Sequence, residues 1–199
     1  HGASVISAFG YGNDAIGRRT AMTQTGAAFK HSDQATQYDM SAFWDYGYNT
    51  RSELTSGKRY WGTDTGDTGS PVAGQSWAYV YDNIGNRTSL THNAETLGYT
   101  ANQLNQYVSR EVLDEVDVLG YASTQAVVTV NNEATTRQGA YYHKALQTNN
   151  TASAAYPGIT VVGVYNPPGT NDDDVVMIDS GRVFVAKTPE SFTYDDDGN

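Results

Sequence analysis

The chain has 199 residues, 12 Lys and Arg against 22 Asp and Glu, and a formal net charge of −10. It has no Cys, which excludes disulfides, thiolate catalysis and Cys-ligated zinc. No apolar run approaches the ~18 residues of a membrane helix, and so acidic a chain repels phosphate backbones, so neither a membrane span nor a nucleic-acid partner is expected. An aromatic content of 12% can anchor a core and argues against disorder. Thr, Val and 15 Tyr suit strands, whereas helix-forming residues do not dominate, so the fold is expected to be all-β. The chain begins at His1 with no basic, then apolar, leader, which points to a processed product or a segment of something longer.

The first predicted element is a strand over Gly2 to Phe9. It leads into a motif that recurs along the chain. Tyr11-Gly-Asn-Asp14-Ala-Ile-Gly17-Arg-Arg19-Thr20 resembles Tyr46-Gly-Tyr48-Asn49-Thr-Arg-Ser52-Glu-Leu54-Thr55 and Tyr79-Val-Tyr81-Asp82-Asn-Ile-Gly85-Asn-Arg87-Thr88, and the chain ends on Phe192-Thr-Tyr194-Asp195-Asp-Asp-Gly198-Asn199. Aromatic residues at alternate positions lie on one face of a strand. Asp or Asn then opens a turn by accepting from the amides ahead, and Gly three residues on supplies the positive φ that closes a bulged hairpin. Each copy is thus a β-hairpin whose aromatic face needs a neighbour, and stacked hairpins make a continuous sheet.

These runs, with Phe43 to Thr55, Tyr99 to Tyr107 and Val183 to Asp195, resemble the RHS/YD-repeat proteins. The resemblance covers most of residues 9–107 and then 183–199. It implies a large secreted or surface-exposed protein whose hairpins spiral into a shell, in some members around a toxin and in others in adhesion. The chain departs from that pattern in its widely spaced, interrupted repeats, and it has neither the self-cleavage region nor a toxin tail. The expected architecture is an open curved sheet of stacked YD-type hairpins at 1–109, an inserted β-rich region at 110–182 and a partial terminal repeat at 183–199.

In the insertion, Val112, Val116, Val118, Ala126–Val130, Tyr141-Tyr142, Ile159–Tyr165 and Val175–Ile178 read as strands. Asn131-Asn132 and Pro167-Pro168-Gly169 read as turns, and Thr148 to Ala155 as a loop. One short helix within 101–117 is the only helical expectation.

Few constellations carry chemistry. His1, His31, His92 and His143 lack metal-ligand spacing and are expected at the surface. Gly74-Gln-Ser76-Trp-Ala78 lacks the last Gly of a nucleophile elbow and runs into a strand. No carboxylate sits in an apolar context that would raise its pKa. The acidic loops Asp64-Thr-Gly-Asp67 and Asp172-Asp173-Asp174 are the candidate calcium ligands, calcium being the one cofactor considered. Asn86 and Asn149 open N-x-Thr sequons. Among the tryptophans, Trp61 is the best exposed candidate for stacking on a sugar ring, while Trp44 and Trp77 read as hairpin core.

The expected function is architectural and non-enzymatic. An unfinished hairpin at one end and a lone strand at the other offer edges for strand complementation, with Val5, Ile6, Phe9, Phe192 and Tyr194 as candidate contacts between copies. The chain would form an extracellular fibre, its partners being other copies of itself and glycans. Alternatives are a segment of a toxin-enclosing shell and a carbohydrate-binding adhesin.

Overall fold

A computed structural model describes residues 4–33, 36–167 and 173–198. The chain is all-β, with open antiparallel sheets and no α-helix among the described residues. Strands β1 (Ala8–Asn13) and β2 (Arg19–Thr25) are followed by one 3-10 turn, Ala27–Phe29, and a separate hairpin of β3 (Lys30–Asp33) and β4 (Thr36–Asp39). The chain then runs through β5 (Ala42–Tyr48), β6 (Leu54–Trp61), β7 (Pro71–Tyr81), β8 (Arg87–His92), β9 (Glu95–Ala101) and β10 (Tyr107–Arg110). The insertion holds β11 (Glu115–Tyr121), β12 (Val127–Val130), β13 (Glu133–Ala134), β14 (Thr136–Gln138), β15 (Tyr141–Gln147), β16 (Gly158–Tyr165) and β17 (Val175–Arg182), and the chain returns as β18 (Glu190–Ser191). One nine-stranded sheet has the order β1-β2-β5-β6-β7-β8-β9-β10-β18, and the insertion forms the sheets β11-β15-β14 and β13-β12-β16-β17.

Four turns along one side of the large sheet share a single geometry. At Asp14, Asn49, Asp82 and Asn102 the side-chain Oδ1 accepts from the backbone N–H groups two and four residues ahead, at 2.8–3.1 Å. The backbone N–H of the same residue donates to the carbonyl four residues on, closing a five-residue loop. The residue three positions on has positive φ: Gly17 86°, Ser52 64°, Gly85 97° and Asn105 62°. Gly, Asn and turn-forming Ser tolerate that region best, so the spacing of these residues determines where each strand reverses. Asp195 begins the same way, with Asp197 N–H donating to Oδ1 at 3.1 Å and Gly198 at φ 83°.

The Asn102 turn corrects the expected helix within 101–117. Asn102 takes the two amides a helix would use for its own ladder, and Asn105 leaves the helical region at φ 62°, so the segment folds into the β9–β10 hairpin and runs on to β11. The Asn131-Asn132 turn does form, with φ 48° and 65°. Of the expected turn at 167–169, Pro168 and Gly169 lie outside the described residues.

One face of the large sheet is aromatic. Register places Met22 beside Trp44, Tyr46 beside Gly57, and Gly57 beside Trp77. Trp44 lies 5.6 Å from Trp77, and Trp77 stacks on His92 at 4.8 Å. The sheet β11-β15-β14 lies against this face near β7: Tyr141 donates its hydroxyl to the Ala73 carbonyl at 2.7 Å and joins Met40, Val72 and Ala140 in a buried cluster. Burial pushes the Tyr141 hydroxyl up to about 12.

The Asp14 carboxyl is held below its ordinary range chiefly by the Arg18 side chain, and that of Asp82 chiefly by Asn86. A depressed folded pKa stabilises above the unfolded value of about 4, and that contribution is lost as pH falls through the lower folded value. Melting temperature should therefore fall between pH 5 and pH 2. Asp82→Asn, which keeps an oxygen where Asn49 and Asn102 have theirs, should melt with a shallower pH dependence, whereas Asp82→Ala should melt lower at every pH above 5. Asn102→Ala, which orphans two amides, should cost about 1–2 kcal/mol in urea denaturation.

Candidate assembly surfaces

Neighbouring turns are joined to one another. Arg18 pairs with Asp14 and its Nη1 donates to the Asn49 carbonyl at 3.1 Å. Arg51 pairs with Glu53 and donates to the Asp82 carbonyl, and Asn86 Nδ2 donates to Asn105 Oδ1 at 3.3 Å. The tyrosine just before a turn donates to the backbone of the hairpin before it: Tyr48 to the Arg19 carbonyl, Tyr81 to that of Leu54 and Tyr194 to that of Tyr107, at 2.8–2.9 Å. Each accepting residue is the first after its turn, so the latch has one geometry throughout. Ala101 occupies the tyrosine position of the fourth turn, and there Tyr107 substitutes, its hydroxyl accepting from Arg87 N–H at 2.7 Å. Arg19 and Arg87 also lie over the Tyr11 and Tyr79 rings, at 4.1 and 4.5 Å.

The end segments are engaged before any partner arrives, but the expected strand over Gly2–Phe9 begins only at Ala8, so Val5 and Ile6 lie outside β1, as Phe192 and Tyr194 lie outside β18, and Gly2 and Ala3 fall outside the described residues. The Val5 and Ile6 carbonyls accept from Ala27 and Ala28 N–H, and Phe9 meets Phe29 edge to face at 5.8 Å. Val5, Ile6 and Phe9 nevertheless remain exposed, Ile6 by 72%. At the other end β18 pairs with β10, Phe192 N–H donates to the Val108 carbonyl, and Arg110 pairs with Glu190. The final segment thus completes the chain's own sheet, and β1 and β18 occupy the two ends of the strand order.

The remaining candidates are scattered. Asp64 and Asp67 each accept from an amide of their own turn, Gly66 and Gly69. Asp172 lies outside the described residues, while Asp173 and Asp174 are exposed just before β17. Among the described residues no group of three or more His, Asp or Glu is arranged to hold a metal ion. Asn86 Nδ2, the atom a glycan would take, donates to Asp82 Oδ2 at 2.9 Å. Asn149 is exposed, and its Oδ1 accepts from the Thr151 hydroxyl at 2.8 Å. Trp61 is more covered than expected: it packs on the buried cluster, 5.3 Å from Tyr141, and Nε1 is buried without a partner among the described residues.

Two of the four histidines, His92 and His143, correct the expectation of surface positions, and His1 lies outside the described residues. His92 is buried, and both His92 Nε2 and His143 Nε2 reach the Asp117 carboxylate at 2.5 Å, with Asn93 Nδ2 at 3.2 Å. This contact joins β8 to β11 and β15, which pair in a register that sets His143 opposite Leu119. Gly74, at φ 77°, makes room for it, since a Cβ there would lie 2.6 Å from the His143 ring. Burial acts to raise the Asp117 carboxyl, but the hydrogen bonds from His143 and His92 outweigh it and hold the carboxyl below its ordinary range. Glu95 departs from the expectation that no carboxyl is raised: burial is the main cause that raises it, the neighbouring Asp114 and Glu115 charges add to it, and Oε2 has no partner among the described residues. The signal for this network is alternation, which places His92 on the aromatic face with Trp77, but nothing in the spacing brings residues 92, 117 and 143 together.

No family model matches this chain, and no curated protein matches it. No helix among the described residues is long and apolar enough to cross a membrane.

Asp117→Ala should cost about 2–3 kcal/mol by urea denaturation, because it removes the charged acceptor shared by His92, His143 and Asn93 in a part-buried site. Gly74→Val should destabilise at least as much, with changed near-ultraviolet dichroism from Trp77.

Proposed function

We propose that this chain is an architectural, non-enzymatic protein of the RHS/YD-repeat type, the subunit of an extracellular fibre whose copies join through the terminal strands of the nine-stranded sheet. The observation that carries this reading is the repeated attachment of one hairpin to the next by the same turn and the same tyrosine latch. Such an attachment sets no limit on the number of hairpins, and a sheet edge is a template for another strand. Among the described residues β1 pairs on one side only, and its exposed Phe9 and Tyr11 give the edge apolar area. Head-to-tail contacts that do not close generate filaments. Asn149 is the sequon better placed to carry a glycan, because Asn86 spends its amide inside a turn.

Electron microscopy of the native material tests this. Filaments with an axial repeat near the length of one nine-stranded sheet are expected, and Phe9→Lys/Tyr11→Lys should abolish them while leaving circular dichroism unchanged, since edge lysines block strand addition. Single particles or a hollow shell would reject the fibre and favour a wall segment of an RHS-type enclosure.

A further inference from the structure

Among the described residues the edge with the least protection is β17, in the insertion. It is eight residues long and pairs with β16 on one side without a register shift. Every residue of it is exposed, including Val175 at 53%, Val176 at 52%, Met177 at 76% and Ile178 at 66%. Soluble proteins blunt such edges with charged side chains, Pro, bulges or short strands; β17 has no Pro, no bulge and no Lys, and its charges are Asp179 and Arg182.

Its hydrogen-bonding parity follows from its neighbours. Val185 and Ala155 exchange both backbone hydrogen bonds, and Val183 N–H donates to the Pro157 carbonyl. The same register continues through β16 and β17, so the odd residues of β17 turn their backbone groups toward β16. The even residues Val176, Ile178, Ser180 and Arg182 point theirs away from the sheet, and the same alternation carried one residue ahead of the strand sets Asp174 in that row. The charges sit at the two ends of this outward row, Asp174 at one and Arg182 at the other, and neither has an ion-pair partner among the described residues.

We infer that β17 pairs antiparallel with β17 of a second copy about a two-fold axis at Ile178. This register sets Asp174 of each chain opposite Arg182 of the other, Val176 opposite Ser180, and Ile178 opposite itself. Even residues face even residues, so every outward donor meets an acceptor, and two complementary ion pairs close the ends. Other even registers keep the backbone bonds but lose this charge match, and odd registers lose both. The second copy is the occupant because the strand is complementary to itself under two-fold rotation, the condition for an isologous contact. The pairing joins two β13-β12-β16-β17 sheets into one of twice the width. It is independent of contacts through β1 and β18 and would link two fibres, or two free subunits, side by side.

The absence of native Cys makes the register directly readable. Opposed residues of a hydrogen-bonded pair have Cα atoms about 5.5 Å apart, within disulfide reach. Ile178→Cys in the full chain should therefore form a covalent dimer on mild oxidation. Val176→Cys alone and Ser180→Cys alone should not, their like positions lying about 13 Å apart along the strands, but a mixture of the two should cross-link. In sedimentation equilibrium, with Phe9→Lys/Tyr11→Lys present to suppress any β1 contact, Arg182→Asp should weaken dimerisation about tenfold. Asp174→Arg/Arg182→Asp should restore it. A monomer at about 100 μM, cross-linking of Val176→Cys as fast as of Ile178→Cys, or no rescue by the charge swap would each overturn the proposal.

Discussion

The fold depends on one short-range contact, a side-chain amide or carboxylate oxygen accepting from two backbone amides within a five-residue turn. It occurs at Asp14, Asn49, Asp82 and Asn102, and each time it leaves the chain reversed, the strands bulged and the next residues committed to pairing. The oxygen satisfies amides that a tight reversal would otherwise orphan. Because all four turns lie on the same side of the sheet, the groups left over, a carbonyl here and an amide there, are available to the adjacent turn, and Arg18, Arg51 and Asn86 use them. A local rule thereby becomes a long-range one. The tyrosine preceding the turns at Asn49, Asp82 and Asp195 adds a hydrogen bond from a ring that also contributes apolar area, which explains why Tyr and not Phe occupies positions 48, 81 and 194.

The insertion is held by a different kind of interaction. Its contact with the large sheet includes the polar group of His92, Asp117 and His143, set beside the Trp44 and Trp77 rings and the Tyr141 cluster. A carboxylate taken partly out of water is costly unless hydrogen-bonded, and here two histidines and Asn93 surround it. An apolar surface would tolerate several docking angles, whereas two rings meeting one carboxylate tolerate few. Buried Asn150 fixes the other end in the same manner, donating to the Leu113 and Ala186 carbonyls where the chain enters and leaves the insertion. Polar pins at both ends hold β18 where it can rejoin the sheet beside β10.

Two sheet systems in one chain yield two kinds of edge. The large sheet ends on β1 and β18, each paired on one side among the described residues, β18 as a two-residue strand on β10. β17 is a longer edge, pairing with β16 over eight residues without a register shift, and its side chains are apolar in their first half and charged or small in their second. That asymmetry is what allows the strand to complement its own reverse. If the proposed fibre contact and the proposed β17 pairing both form, one growth direction and one lateral direction would make a ribbon or bundle in preference to a single thread.

Much of the large sheet was legible in the residues themselves. Asp14, Asn49 and Asp82, each with a Gly or Ser three positions on and aromatic residues before it, determine a hairpin locally, because donor, acceptor and positive φ all lie within five residues. The all-β class follows from the same local chemistry. The turn at Asn102 was harder to see: Ala101 replaces the tyrosine and Asn105 the glycine, and the lost latch is made up by Tyr107 from the far strand. Tertiary structure alone decided the meeting of His92, Asp117 and His143, the covering of Trp61 by Tyr141 and the return of β18 to β10. These join residues 25 to 82 positions apart, each choosing among many chemically similar partners. Which of them meet depends on how two sheets pack, and sequence spacing carries no record of that.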